Sequence, residues 1–369
     1  MGTAGIIFSD GRFSQVDELV RKRTEASIPF GGRYRLIDFA LSNMVNADIT
    51  QVAVIARRNY QSLMDHIGSG KDWDLSRRHG GITVFPPFGN YKSGNIYDNP
   101  IEALQGIIGF ITKCPEENLI LTECDSVNVI NYEDVISQHE DNNADMTIIY
   151  RECEVKDLYA EHLVVETDDF GRVTSAGLVN ETKGVQKVGV NALVIKRKLL
   201  QSLLYEAAAK GANSLEQEII INNVSSLRIF GYNYTGAYLR INSLENYFAN
   251  NMALLDEQVR KDLLETVPIY TKVRDSAPTK YGKNAKVENS FIADGCVVEG
   301  TVINSILFRG VKVGKDTVIK NCILMQDTMV LEKVQLNCVV TDKNVTIRDH
   351  QELSGCSKLP YYVAKNMMI

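Results

Sequence analysis

The hydrophobic pattern of the chain changes character once. Up to about residue 248, short apolar runs alternate with stretches whose apolar residues recur at helical spacing. GIIF (5–8), QVAVIA (51–56), NLILTE (118–123), ADMTIIY (144–150) and NALVIK (191–196) read as buried strands. LIDFALSNMVNA (36–47), PIEALQGIIGFITK (100–113), YEDVISQHED (132–141) and LENYFANNMALLDEQVR (244–260) read as amphipathic helices. Alternation of this kind predicts a mostly parallel sheet with helices on both faces. HLVVETDDFGRVTSAGL (162–178) differs. Two strand-like runs flank the turn Asp168-Asp169-Phe170-Gly171, which predicts a β-hairpin.

The segment PIYTKVRDSAPTKYGK (268–283) has no clear period and holds two of the eight prolines, so it reads as a linker. From about residue 285 the helical pattern is gone. Small apolar residues recur every six positions, as in Val318, Leu324, Val330 and Leu336. Shorter fragments run from Ile292 to Val298, Val297 to Ile303 and Val339 to Val345, and glycines punctuate them. A hexapeptide period predicts a β-helix whose coils stack apolar side chains inward. The expected division is an α/β domain over 1–248, a helix and linker over 249–284, and a β-helix over 285–369.

Composition sets outer limits. The chain has 369 residues, enough for two domains with separate cores, and is 44% hydrophobic and 23% charged. A formal net charge of −6 gives no reason to expect a nucleic-acid partner. No apolar run is long enough to span a membrane, and no charged-then-apolar leader opens the chain. The seven cysteines are scattered, with no C-x-x-C pair, as expected of reduced cytoplasmic thiols.

Two stretches carry candidate chemistry. HIGSGKDW (66–73) contains Gly-Lys, but Asp65 and Asp72 stand where a Walker loop needs glycine and a hydroxyl residue. RKRTEASIPFGGRYRLIDFALSN (21–43) is more specific. Pro29-Phe30-Gly31-Gly32 forms a tight turn just before a helix, and Arg21, Lys22, Arg23, Arg33 and Arg35 crowd around it. Such a cluster is either a solvated basic face or a place for an anion.

PFGGRYRLIDFALSN resembles the early signature of the bacterial ADP-glucose pyrophosphorylases, and the resemblance runs from the first strand to the hexapeptide coils. It implies a nucleotidyltransferase-like, Rossmann-like α/β domain with a mixed sheet, followed by a left-handed parallel β-helix. It also implies where chemistry should lie, and there this sequence departs. Catalytic relatives carry G-G-x-G-x-R-L after the first strand. The matching residues here are Asp10, Gly11, Arg12, Phe13, Ser14, Gln15 and Val16. Asp10 sets negative charge against a triphosphate, Phe13 sets a ring where backbone must approach, and Gln15 replaces the leaving-group arginine. Glu25 stands for a regulatory lysine.

Catalytic relatives hold magnesium between two aspartates. Asp125 in ILTECDSVNVINY (120–132) keeps the first. The second falls on Arg240 or Ile241 in YLRINSLENYF (238–248), depending on the register chosen, and neither ligates a cation. Asp125 is then left a structural role, paired with an arginine. The G-T-A-D-A motif reads Asn99, Pro100, Ile101, Glu102, Ala103. A regulatory anion site of relatives is matched by Arg23, Arg35, His66, Lys272 and Arg274.

The reading that follows is a non-catalytic regulatory subunit of glucose-1-phosphate adenylyltransferase (ADP-glucose pyrophosphorylase), serving glycogen biosynthesis. It would assemble with a catalytic paralogue, as a hetero-tetramer, and answer to a phosphorylated metabolite. It would hold no cofactor or metal itself, magnesium belonging to the catalytic partner. The alternative is a weakly active nucleotidyltransferase joining an NTP to a sugar 1-phosphate. A hexapeptide acyltransferase would need a histidine base within the coils, and the only histidine there is His350, near their end.

Overall fold

The structure is a computed structural model that describes residues 2–11, 16–87, 97, 99–155 and 160–369. The chain divides into two compact units. One comprises Met1–Phe13, Ala40–Cys124 and Val129–Gly236; the other comprises Ser14–Phe39, Asp125–Asn128 and Ala237–Ile369.

The first unit is built on nine strands: β1 (Thr3–Phe8), β2 (Gln51–Ile55), β3 (Gly81–Phe85), β4 (Asn118–Glu123), β5 (Met146–Cys153), β6 (His162–Thr167), β7 (Val173–Val179), β8 (Gln186–Lys196) and β9 (Ile229–Asn233). They form one sheet in the order β7-β6-β8-β4-β1-β2-β3, with β5 joined to β8 and β9 to β5. β1 runs parallel to β2 and β4, and β2 to β3. β8 runs antiparallel to β4, β5 and β6, so the sheet is mixed. The five apolar runs form β1, β2, β4, β5 and β8 because β-branched residues buried on both faces suit a central strand. β6 and β7 form the antiparallel hairpin. Its turn is closed by Asp168, whose Oδ1 accepts from the Phe170 and Arg172 backbone N–H groups.

Two expected helices are broken. PIEALQGIIGFITK makes Pro100–Gly106 and Ile108–Lys113, with Ile107 outside the helical region (φ −107°, ψ 18°). Gly106 and two adjacent β-branched residues lower helix propensity at that point. LENYFANNMALLDEQVR makes Leu244–Ala253 and then Glu257–Leu264. Asp256 starts the second helix by accepting from the Gln258 and Val259 N–H groups, and a capping aspartate favours a new start over continuation. Helix Arg197–Lys210 was not among the expected helices.

In the second unit, fifteen short strands form three parallel sheets, the three sides of a left-handed β-helix. The first coil strand is Lys280–Tyr281, earlier than the expected start at 285. Successive partners on one side are Thr301, Val318, Gln335 and Glu352, a repeat of 17 residues. From Thr301 on, each coil on this side is therefore a residue short of three hexapeptides, while the first, from Lys286 to Thr301, is three short. For that reason Val318 faces outward, half-buried, while Ile319 is fully buried. Inward residues such as Val313, Ile319, Leu324, Val330 and Leu336 form a continuous core.

The coils turn at left-handed residues. Gly295, Gly310, Asp327, Asn344 and Asn366 stack at one corner with φ between +57° and +76°. Asn289, Asn304, Asn321 and Cys338 stack at another, with φ between +41° and +51°. Glycine, asparagine and aspartate adopt this conformation at least cost.

Candidate functional site

The first element to place is the turn at Pro29–Gly32. Pro29–Phe30 pairs antiparallel with Tyr34–Arg35, and Gly31 and Gly32 both have positive φ. A Cβ on Gly32 would lie 3.3 Å from the Phe291 ring. The turn is held by Asn251, which accepts from the Gly31 N–H at 3.0 Å, and by the Tyr247 hydroxyl, which donates to the Pro29 carbonyl at 2.8 Å. It thus presents Arg35 from a fixed hairpin.

A charged cluster gathers around Asp342. Arg23 and Asp342 are almost fully buried, and Arg23 Nη2 donates to Asp342 Oδ1 at 2.5 Å. Arg23 Nη1 also donates to the Leu19 carbonyl. The Tyr362 hydroxyl lies 2.9 Å from both Asp342 Oδ2 and the Glu18 carbonyl. The Lys343 backbone N–H takes Asp342 Oδ1 as well, at 2.6 Å.

Lys343 belongs to a column along one β-helix corner. Ladder bonds from Gly310 to Asp294, Asp327 to Arg309, Asn344 to Gln326, and Asn366 to Lys343 set Asp294, Arg309, Gln326, Lys343 and Lys365 one above another. Neighbouring rungs of a parallel sheet stand about 4.8 Å apart. Arg309 Nε donates to Asp294 at 3.1 Å, and its Nη1 donates to the Lys272 carbonyl at 3.1 Å. Burial raises the Asp294 pKa, but the Arg309 charge and the hydrogen bonds from Ser276 and Arg309 together outweigh it, so the carboxyl sits below its ordinary value. Gln326 is buried, and its Oε1 has no hydrogen-bond partner. Burial, then the like charges of Arg35, Arg23 and Lys365, push Lys343 down to about 6, against the pull of Asp342.

The expected anion residues are therefore placed unequally. The charges of Arg23 and Arg35 both act on Lys343. Lys272 reaches the column through its carbonyl, while its side chain and that of Arg274 are exposed. His66 lies in the other unit, buried edge-on against Trp73 with ring centroids 5.7 Å apart. Arg309, Gln326, Lys343 and Lys365 were missed, although 309, 326 and 343 share the 17-residue coil repeat.

The metal position is a second site within the same unit. Ser126–Asn128 pairs antiparallel with Tyr238–Arg240, with Arg240 opposite Ser126. This register places the Arg240 guanidinium on Asp125, Nε to Oδ2 at 3.0 Å, both side chains largely buried. Ile241 is fully buried, and its N–H donates to the Asp125 carbonyl at 2.7 Å. The Arg240 carbonyl accepts from Asn250 at 2.6 Å. A magnesium ion needs several oxygen ligands in octahedral array. One carboxylate carrying a guanidinium does not fit that ion. Among the described residues no three His, Cys, Asp or Glu side chains form a metal cluster.

In the first unit, the strand order reverses at β1, where α/β folds place their ligands. The Ser9 N–H continues the β1–β2 ladder, and Ser9 Oγ donates to Asp10 Oδ2 at 2.7 Å. The Tyr97 hydroxyl donates to the Ala56 carbonyl, and Arg57 stands 5.8 Å from the Tyr97 ring centre. Burial first, and then the Asp10 charge, raise the Tyr97 pKa. Gly11 follows Asp10; Phe13 and Gln15 lie outside the described residues. Asn99 caps a helix, its Oδ1 accepting from the Glu102 N–H at 2.9 Å, with Pro100 next. Nearby, a cavity of about 30 Å³ is lined by Phe8, Leu121, Glu123, Asn191, Leu215 and Glu216, and Asn191 bonds Glu123 at 3.2 Å. That volume holds about one water. His350, the one coil histidine, is exposed at an outer corner.

Comparison with known proteins fits this geometry. The nucleotidyl transferase family model matches residues 4–176, and the GlmU-like C-terminal hexapeptide model matches 275–355. The glycogen biosynthesis protein GlgD of Bacillus subtilis is 33% identical over 99% of this chain and 96% of its own length. GlgD of Geobacillus stearothermophilus is 34% identical over 85% of this chain and 82% of its own. A glucose-1-phosphate adenylyltransferase of Clostridium botulinum (strain Alaska E43) is 31% identical over 86% of this chain and 83% of its own. With a third of its residues shared across nearly its whole length, the chain belongs to the nucleotidyltransferase family that includes the GlgD proteins and the glucose-1-phosphate adenylyltransferases.

Proposed function

We propose that the chain is a non-catalytic regulatory subunit that assembles with a catalytic glucose-1-phosphate adenylyltransferase and serves glycogen biosynthesis in the cytoplasm. The observation that carries this reading is the Asp125–Arg240 pair. A two-carboxylate metal site has become an ion pair, so the charge that would neutralise a transferring phosphoryl group is replaced by a fixed guanidinium already spent on Asp125. Interactions that stabilise transition-state charge are each worth about 2.7–4 kcal/mol. Their loss at the metal position, with Asp10 at the end of the first strand, suppresses turnover by several orders of magnitude.

The second part of the proposal concerns how such a subunit acts. Arg35, Lys343 and Lys365 offer a phosphorylated metabolite a set of donors on a rigid corner, with Arg23 buried behind them on Asp342. Charge-assisted hydrogen bonds contribute about 1.5–3 kcal/mol each. An anion held there biases the setting of the coils, and a coupling of about 1–3 kcal/mol changes a partner's affinity 5- to 150-fold. The β-helix also exposes Met329 and Met368 on one sheet, apolar surface suited to subunit contact.

The test is co-expression with a catalytic relative, sizing of the complex, and assay of each chain alone and together. The expected result is one hetero-oligomer whose response to phosphorylated metabolites depends on this chain. Separate elution, or identical responses with and without this chain, would overturn the proposal.

A further inference from the structure

Three coils of the β-helix carry asparagine at the same left-handed corner: Asn289, Asn304 and Asn321. The next coil carries Cys338 there, with φ +51°. Residues other than glycine, asparagine and aspartate adopt this conformation at a cost. Gly355 stands on the following rung. Its N–H donates to the Asn337 carbonyl at 2.9 Å, and a Cβ on it would lie 2.7 Å from the Cys338 carbonyl oxygen. Cys356 comes directly after it, and there the chain leaves the coil. Residues 356–360 precede strand Tyr361–Val363, where earlier coils place only Ser305 or Cys322 between corner and strand. Cys356 and Leu359 exchange backbone hydrogen bonds at 3.1 Å, closing the insertion as a tight turn, and the Tyr361 N–H returns to the Cys338 carbonyl at 3.0 Å. One rung of about 4.8 Å and one Cα step of about 3.8 Å set the two cysteine Cα atoms about 6 Å apart. A disulfide spans about 4.4–6.8 Å between Cα atoms. Both thiols are free here, Cys356 exposed and Cys338 buried.

We infer that Cys338 and Cys356 form a reversible oxidation site, which closes to an intramolecular disulfide and clasps the 356–360 insertion to the coil beneath it. The oxidant is a low-molecular-weight disulfide. Cys356 reacts first, because a reagent reaches it. Its thiolate attacks one sulfur of the oxidant, whose S–S bond breaks and releases one thiolate. Cys338 then attacks the Cys356 sulfur, the mixed disulfide breaks, and a second thiolate leaves. Two electrons pass from the two cysteines to the oxidant, and their two protons end on the two released thiols. Burial, and then the neighbouring Cys356, push the Cys338 thiol up, which suits it to the second step. Cys322 is fully buried, and its Sγ donates to the Lys320 carbonyl at 2.9 Å. In a reducing compartment a bond of this kind senses redox state. It sits just ahead of Tyr362, whose hydroxyl lies 2.9 Å from Asp342 Oδ2.

Glutathione disulfide is the probe, applied to the full reduced chain at mildly alkaline pH. The expected result is a fall in free thiols from seven to five, with tryptic peptides 334–343 and 349–358 recovered as one linked species. Dithiothreitol should reverse both changes. Closing the loop restricts the unfolded chain, so the urea midpoint of the oxidised chain should rise. Cys338→Asn keeps a residue that suits the corner and should stop at Cys356 bearing one glutathione. Cys356→Ser should leave Cys338 unmodified. A lasting glutathione adduct on Cys356 of the unaltered chain, a link from Cys338 to Cys322, or no reaction of Cys356 would overturn the site. A linked species whose urea midpoint falls would overturn the clasp.

Discussion

Arg23 and Asp342 stand 319 positions apart in the chain, yet the guanidinium of one donates to the carboxylate of the other at 2.5 Å, both almost sealed from solvent. The pair ties the segment that precedes the PFGG turn to the corner of the β-helix.

Arg23→Ala should therefore be costly. Breaking a buried pair from one side leaves an uncompensated charge and costs about 3–5 kcal/mol. Urea denaturation measures this, with an unchanged slope showing that the unfolded state is unaffected. A loss below about 1 kcal/mol, usual for an exposed pair, would contradict the buried geometry.

A double-mutant cycle tests the pair at the metal position. Arg240→Ala should destabilise by leaving Asp125 charged and buried, and adding Asp125→Asn should recover much of that loss. A coupling of about 1–3 kcal/mol is expected. Simple additivity of the two changes would mean that the ion pair does not exist in solution.

Asp145 gives the clearest pH dependence. Burial raises its pKa, but hydrogen bonds from Arg228 and Lys196 outweigh this and hold the carboxyl well below the usual range. A depressed carboxyl adds stability that is complete above the unfolded pKa, about 3.9, and fades as pH falls through the folded one. Asp145→Asn should thus be less stable than the parent at pH 7, with the gap closing below about pH 4. Urea midpoints measured from pH 7 to pH 3 check this; a gap that stays constant would count against it.

The sheet was legible because its central strands are short apolar runs rich in β-branched residues, as in Val52–Ile55, that suit a buried strand. The break at Asp256 was not, because an aspartate inside an amphipathic pattern reads as a solvated position until its side chain is seen capping. The coil repeat was legible only in outline. A strict hexad places Val318 inside, whereas the 17-residue coil places Ile319 there. The same displacement hid the corner column. Arg309, Gln326 and Lys343 recur at the coil length, not at six, and a lone lysine ordinarily reads as solvent-exposed. At the metal position the sequence left Arg240 and Ile241 open, and only the strand register with Ser126–Asn128 puts the arginine on Asp125.

The central proposal is that this chain does no chemistry of its own. The direct measurement is turnover of the purified chain, free of any catalytic relative, with ATP, glucose 1-phosphate and magnesium, following pyrophosphate release. A catalytic relative assayed in parallel serves as the standard. The account predicts no product above background at any magnesium concentration. A kcat in the ordinary enzymatic range of about 1–10³ s⁻¹ would contradict it.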